Sequence, residues 1–180
     1  MMKEPRIILL DGSVDEGSAM RTVLKLLDFD KQDSHEEISL YINSPGGSIL
    51  HGLAIYDTIK HISAPVSTVC YGMAASMGAF LLSCGKKGRR FILPHSRVLI
   101  HQPLIHVQNG FQSSQSDLQK TAESLLESRR ILEQIMADNI GVSLEKIHAD
   151  CERDNWMSAQ EALEYGIVDG ILTGNGEVIG

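Results

Sequence analysis

Three residue types that together can attack a carbonyl carbon stand in this chain: a serine and a histidine beside predicted strand ends, and a choice of aspartates. Ser76 lies in Gly72-Met73-Ala74-Ala75-Ser76-Met77-Gly78-Ala79-Phe80. The pattern predicts a strand over Pro65–Tyr71, a turn at Gly72 and a buried helix over Ala74–Ser83. A serine there presents its oxygen at a sheet edge, beside the unpaired N–H groups that open a helix. The competing use of such a serine is to cap that helix, which is common. Alanine at both preceding positions separates the segment from the Gly-x-Ser-x-Gly elbow. The N–H of Met77 is a candidate donor to a developing oxyanion.

Asn43-Ser44-Pro45-Gly46-Gly47 follows a second predicted strand, Ile38–Ile42, and opens a predicted helix, Ile49–Ile62. Paired glycines let a backbone come close to a ligand and point N–H groups at it, so Gly47 is a second candidate oxyanion donor. An ordinary strand-to-helix turn has the same composition. The segment fits no phosphate-binding glycine pattern, which removes a nucleotide site. His101 ends the predicted strand Arg97–His101, a rigid mount for a general base. It is one of seven histidines, with His95 and His106 its nearest rivals. The group that would orient its imidazole is Asp150, Asp154 or Asp169, and spacing does not choose among them. No HExxH and no Cys/His cluster suggests a metal.

The elements that must carry these residues alternate. A strand at Arg6–Leu10 precedes a helix over Glu16–Asp28 with Met20, Val23, Leu24 and Leu27 at helical spacing. Phe29–Glu36 reads as a loop, Arg90–Leu93 as a short strand and Ile167–Leu172 as a last one. Strand alternating with helix predicts an α/β domain on a mainly parallel sheet, one domain over residues 1–180. From about Ser116 to Asn139, the residues Leu118, Ala122, Leu125, Leu132, Ile135 and Met136 form a stripe on one long helix, expected to reach beyond its own domain onto a neighbour, the alternative being a helix laid along the domain surface. Ser158 and Glu161 make a capping box, with Gly166 at the far end of that helix.

Composition narrows the function classes. A net charge of −7 speaks against a nucleic-acid partner. The run Lys86, Lys87, Arg89, Arg90 reads as a solvated turn. No apolar run spans a bilayer and the N-terminus lacks a secretory signal, so no membrane association is expected. Cys70, Cys84 and Cys151 are odd in number and unpaired in pattern, which suits reduced thiols in the cytoplasm.

Together the stretches Tyr41–Gly47, Gly72–Phe80, Pro94–Pro103 and Glu152–Trp156, with Ser158–Ala162 and Glu164–Asp169, resemble the Clp protease proteolytic subunit family. The likeness runs from about Arg6 to Leu172. It implies a crotonase-like α/β fold of repeated strand–helix units with a protruding handle, here about residues 104–139. It implies a serine endopeptidase with Ser76 as nucleophile, His101 as base and Asp154 as orienting acid, and with Gly47 and Met77 as oxyanion donors. No metal or organic cofactor is implied. Family members stack two seven-membered rings around a closed chamber, and an AAA+ unfoldase ATPase feeds in unfolded protein. Glu152 and Arg153 resemble the residues that join the rings, and Tyr41 and Phe91 resemble part of the ATPase docking pocket.

Three departures stand out. The family's N-terminal helix and axial loops have no counterpart before Arg6. Ser39 and His61 stand where aromatic residues are frequent. Leu104–Gln115 replaces a glycine pair with a longer segment. These suggest a divergent paralogue that works in a mixed ring. Two alternatives remain, a catalytically weak or inactive structural subunit and an acyl-CoA enzyme on the same fold.

Overall fold

The computed structural model describes residues 5–103 and 115–180, apart from the side chains at 115, 116, 118 and 175. The expected Leu104–Gln115 part of the handle, and His106 with it, falls almost wholly outside the described residues.

Strand β1 (Ile7–Asp11) opens the chain, followed by α1 (Glu16–Gln32), β2 (Ile38–Ser44), α2 (Ile49–His61) and β3 (Val66–Ala75). Asp15 caps α1 through the Ser18 N–H, and Ser18 returns the bond. That helix runs through Phe29 to Gln32, four residues past the expected end. Its expected apolar stripe is the surprise. Ser18, Ala19, Thr22 and Leu26 face the sheet, whereas Met20, Leu24 and Leu27 are 58%, 59% and 42% exposed. Small side chains let the helix lie close on the strands and on α2, and the larger ones are left facing outward.

β1, β2 and β3 pair in parallel, with Leu10 beside Ile42 and Ile42 beside Cys70. Ile38, Leu40 and Ile42 are fully buried on alternate positions of β2, the period-two signature of one covered face. β3 does not stop at Gly72 as expected. Gly72 takes φ +83° and β3 continues to Ala75. Its first half pairs with β4 (Arg90–Ile92) and its second half with β5 (Arg97–Ile100), so the sheet forks along one strand. The central helix α3 is therefore Met77–Ser83, entirely buried, and Ala74 and Ala75 belong to the strand.

Beyond β5 lies α4 (Gln115–Ile140), 26 residues or about 39 Å. Only its second half packs inward, through Leu132, Met136, Ala137 and Ile140. Residues such as Ala122 and Leu126 in the first half are exposed. A short α5 (Leu144–Asp150) and a strand β6 (Asn155–Ser158), neither foreseen, lead into α6 (Ala159–Tyr165). The Ser158 capping box and the left-handed Gly166 end α6 as expected. β7 (Gly170–Leu172) pairs in parallel with β4, and β8 (Val178–Ile179) closes the edge in the antiparallel sense. The sheet is thus mainly parallel, with the β5–β6 and β7–β8 pairs antiparallel.

The basic run is not wholly solvated. Lys86, Lys87 and Arg89 are exposed, but Arg90 is buried, 2.6 Å from Asp169. Arg90 Nη1 also donates to the Asn139 carbonyl. Asp169 therefore fastens β4, β7 and the end of α4 together. Burial pushes its carboxyl upward, but hydrogen bonds from the Arg90 side chain and backbone and the Gly88 N–H overcome this and hold it below the usual range.

Candidate active site

Ser76 occupies the single residue between the end of β3 and the start of α3. Its φ of 54° and ψ of −119° make it the only positive-φ residue other than glycine among those described. Such backbone is costly for a residue with a Cβ and persists only when its surroundings dictate it. Here they do. The Ser76 N–H donates to the Leu99 carbonyl at 2.8 Å, and the Ser76 carbonyl accepts from Phe80 at 3.0 Å. The side chain forms no cap bond with α3, so its hydroxyl is not spent on the helix. The capping use of this serine is not the one the structure shows.

The glycine turn lies directly against it. A Cβ on Gly46 would stand 2.7 Å from both the Ala75 carbonyl oxygen and Ser76 Cβ. A Cβ on Gly47 would collide with the Val14 backbone. Gly46 and Gly47 take φ +94° and +152°, so the turn needs glycine for conformation as well as room. Val14 holds the turn from behind: its N–H donates to the Gly46 carbonyl and its carbonyl accepts from Ser48. Among the described residues, neither the Gly47 N–H nor the Met77 N–H has a backbone partner. Both remain available as donors.

Register brings in His101 and Asp154. β5 lies beside β3 with Leu99 next to Ala75, so His101, just past β5, arrives at the serine turn. β6 runs antiparallel to β5 with Asn155 opposite Ile100. One residue further along each chain, His101 Nδ1 stands 3.7 Å from Asp154 Oδ1. This is contact just beyond hydrogen-bond range. His101 is 13% exposed and Asp154 68%. The other two aspartates are occupied elsewhere, Asp150 with Lys146 and the Tyr165 hydroxyl, Asp169 with Arg90. His95 is exposed on the turn before β5 and lines none of the clefts at Ser76.

Ser76, His101, Gly46 and Gly47 line one open groove with Leu50, Lys120, Ser124 and Ser128. A smaller pocket of about 90 Å³ opens from the same serine and histidine, walled by Ile49, Phe80, Leu132 and Met136, with Arg129 and Glu133 at its far side. Cys151 also lines it, but burial pushes its thiol up to about 12, so it is no rival nucleophile near neutral pH. Among the described residues no cluster of His, Cys, Asp or Glu is arranged to hold a metal.

The remaining expected residues are placed as follows. Tyr41 and Phe91 flank Val69 in one row across β2, β3 and β4, with Leu9 at the end of that row 63% exposed. Tyr41 packs on Tyr71 at 6.0 Å between ring centroids. Glu152 is bound within its own chain by Arg129 at 2.7 Å. Arg153 is exposed. Sequence reasoning missed Arg129, Glu133 and Gln102. The i,i+4 spacing of Arg129 and Glu133 was the one available signal.

A model of the Clp protease family matches residues 1–175. The chain is 52% identical over 170 residues to the ATP-dependent Clp protease proteolytic subunit of Streptococcus pneumoniae strain Hungary19A-6, covering 94% of this chain and 86% of that protein. The proteins of the same name from strains TIGR4 and R6 are similar to the same extent, 52% identical over 94% of this chain and 86% of theirs.

Proposed function

The chain belongs to the Clp protease family, and from that premise we propose that it is the proteolytic subunit of an ATP-dependent Clp protease, a serine endopeptidase working through Ser76, His101 and Asp154. The observation that carries the assignment of residues is that the strained, uncapped Ser76 and His101 line one groove, with Asp154 at the far nitrogen of the imidazole.

The chemistry follows from the positions. With Nδ1 turned to Asp154, Nε2 is the nitrogen left for the Ser76 hydroxyl. His101 takes the hydroxyl proton as Oγ attacks the scissile carbonyl carbon. The carbonyl oxygen becomes an oxyanion between the N–H groups of Gly47 and Met77, donors fixed before the charge develops. His101 then passes the proton to the leaving amine, and water repeats the sequence to free the acyl group. Asp154 stays ionised, holds the tautomer and stabilises the imidazolium.

The family implies ring assembly and partnership with a Clp ATPase. Met20, Leu24 and Leu27 form an outward apolar row on α1, and most of the described side chains in the first half of α4 are exposed. Both suit surfaces covered by neighbouring subunits. We extend this to two stacked seven-membered rings, with Glu152 and Arg153 facing the ring junction. The Tyr41, Phe91 and Leu9 row is the surface we assign to the ATPase. No described helix is long and apolar enough to cross a membrane, and the reading carries with it a cytoplasmic setting and one domain over residues 1–180. Peptides and unfolded proteins are the proposed substrates.

A fluorophosphonate probe tests the proposal. Labelling of the assembled protein at Ser76, abolished by Ser76→Ala, is the expected result. An assembled particle that leaves the probe untouched is an inactive ring subunit and sinks the reading.

A further inference from the structure

Arg129 stands on α4 where that helix passes the ends of β5 and α5, and each nitrogen of its guanidinium is engaged. Nε donates to Glu133 Oε1 at 2.6 Å. Nη1 donates to Gln102 Oε1 at 3.0 Å. Nη2 donates to Glu152 Oε1 at 2.7 Å and reaches the His148 carbonyl at 3.4 Å. The partners come from three separate segments. Gln102 follows His101, and Glu152 lies two residues before Asp154. Gln102 then closes the circuit: its side-chain amide donates to the Glu152 carbonyl at 3.0 Å and its N–H to the Cys151 carbonyl at 2.6 Å.

The need for such a link is visible in the ladder. Pairing between β5 and β6 ends at Ile100 and Asn155, one residue short of both His101 and Asp154. Beyond that point Asp154 has no ladder bond, and its carboxylate is 68% exposed, 3.7 Å from the imidazole. A turn left to itself there would sample many orientations, and a displacement of about 1 Å in a catalytic group costs on the order of 100-fold in rate. The base of the fork is firm. Glu133 is 6% exposed, and its second oxygen is 2.9 Å from His148 Nδ1. The arm toward Glu152 is different, because Glu152 is 51% exposed. Ion pairs that open to water contribute little to stability. An arm worth so little to folding, reaching the one turn that carries the acid, has its consequence in geometry.

We propose that Arg129 is a positioning residue for peptide hydrolysis, whose fork holds the turn carrying Asp154 in register with the segment carrying His101. This rests on the proposed serine-protease reading. Arginine is required because a lysine offers one nitrogen where three directions must be served. Glu152, which we also place at the ring junction, reaches Arg129 within its own subunit as the far end of the fork, and the native mass separates the two roles.

The experiment uses the assembled protein and two mild substitutions. Arg129→Lys keeps a positive charge beside the buried Glu133. Glu152→Gln alters an exposed group and leaves the Arg129–Glu133 pair intact. For wild type, each single variant and the double variant, one measures five quantities. These are the fluorophosphonate labelling rate at Ser76, kcat and KM for a short fluorogenic peptide, the melting temperature, and the particle mass under native conditions. Both single variants should label more slowly, by up to about 100-fold. The loss should lie in kcat with KM unchanged, while mass and melting temperature stay close to wild type. The double variant should be no slower than the slower single one, because the two act through one link. Four results would overturn the proposal: wild-type labelling rates in both single variants, a loss confined to KM, losses that multiply in the double variant, or slow labelling that appears only where the particle dissociates. Absence of labelling in wild type removes the parent reading and this one together; normal wild-type labelling with unaffected variants removes this one alone.

Discussion

Ser76 is gripped by backbone, and Asp154 is steadied by side chains. The serine turn is walled by Gly46, from the turn after β2, and by the Leu99 carbonyl of β5. Behind it Arg90, 2% exposed, ties β4, β7 and the end of α4 into one block through Asp169 and Asn139. The acid's turn uses the same device, an arginine fork, in a wetter place. Arg129 is 12% exposed and its partner Glu152 51%. Two arginines with similar contacts therefore do different work. Where both partners are dry, losing one leaves a stranded charge and the fold suffers. Where one partner is wet, losing it changes little in stability but frees the group next door to move. Ser76 and the Gly46-Gly47 turn are built into the folded domain, whereas Asp154 stands on a more exposed turn.

The contrast can be broken most decisively at the serine end. Ser76→Ala and His101→Ala should each lower kcat/KM for peptide hydrolysis by about 10⁴-fold or more, and the double variant by little beyond that, because the residues act as a unit. Additive losses would mean that they do not share one step. The next largest effect belongs to the dry fork. Asp169→Asn should destabilise the chain by about 3 kcal/mol with little direct effect on chemistry, measured by denaturant unfolding. Its pH dependence has a definite sign. The folded Asp169 carboxyl titrates below its unfolded value. Its contribution is therefore full above about pH 4, the unfolded value, and drains away as pH falls through the folded value. The stability gap between wild type and Asp169→Asn should narrow on acidification, and a gap that widens would contradict the pairing. The smallest of the three effects is at the exposed acid. Asp154→Asn should lower kcat by about 100-fold, less than the loss for Ser76→Ala, because a loosely held carboxylate orients the imidazole less firmly. A loss equal to that of Ser76→Ala would show that Asp154 is held as tightly as the serine, and the contrast between the two regions would fail.

Much of this was legible in the chain before any coordinates. Ser76, His101 and the Gly46-Gly47 turn could be picked out because strand ends, glycine punctuation and small-residue runs are local signals. The Ser158 box and the Gly166 cap were legible for the same reason. Three features were not. Gly72 looked like a strand end, yet β3 absorbs it at φ +83° and runs on, so that the turn falls on Ser76 itself. The α1 stripe has helical spacing, but spacing does not say which face meets the sheet, and the small residues won. β6 is four residues long and has no alternation to betray it.

Local sequence thus determined which residue types stood at which turns, because turn chemistry and periodicity are properties of a few neighbouring residues. Family resemblance was needed to prefer Asp154 over Asp150 and Asp169. Tertiary structure decided the convergence itself. His101 meets Ser76 through the β3–β5 register, and Asp154 meets His101 through the β5–β6 register. Register is a relation between segments far apart in the chain, set by how the whole core packs, and no short window of sequence contains it.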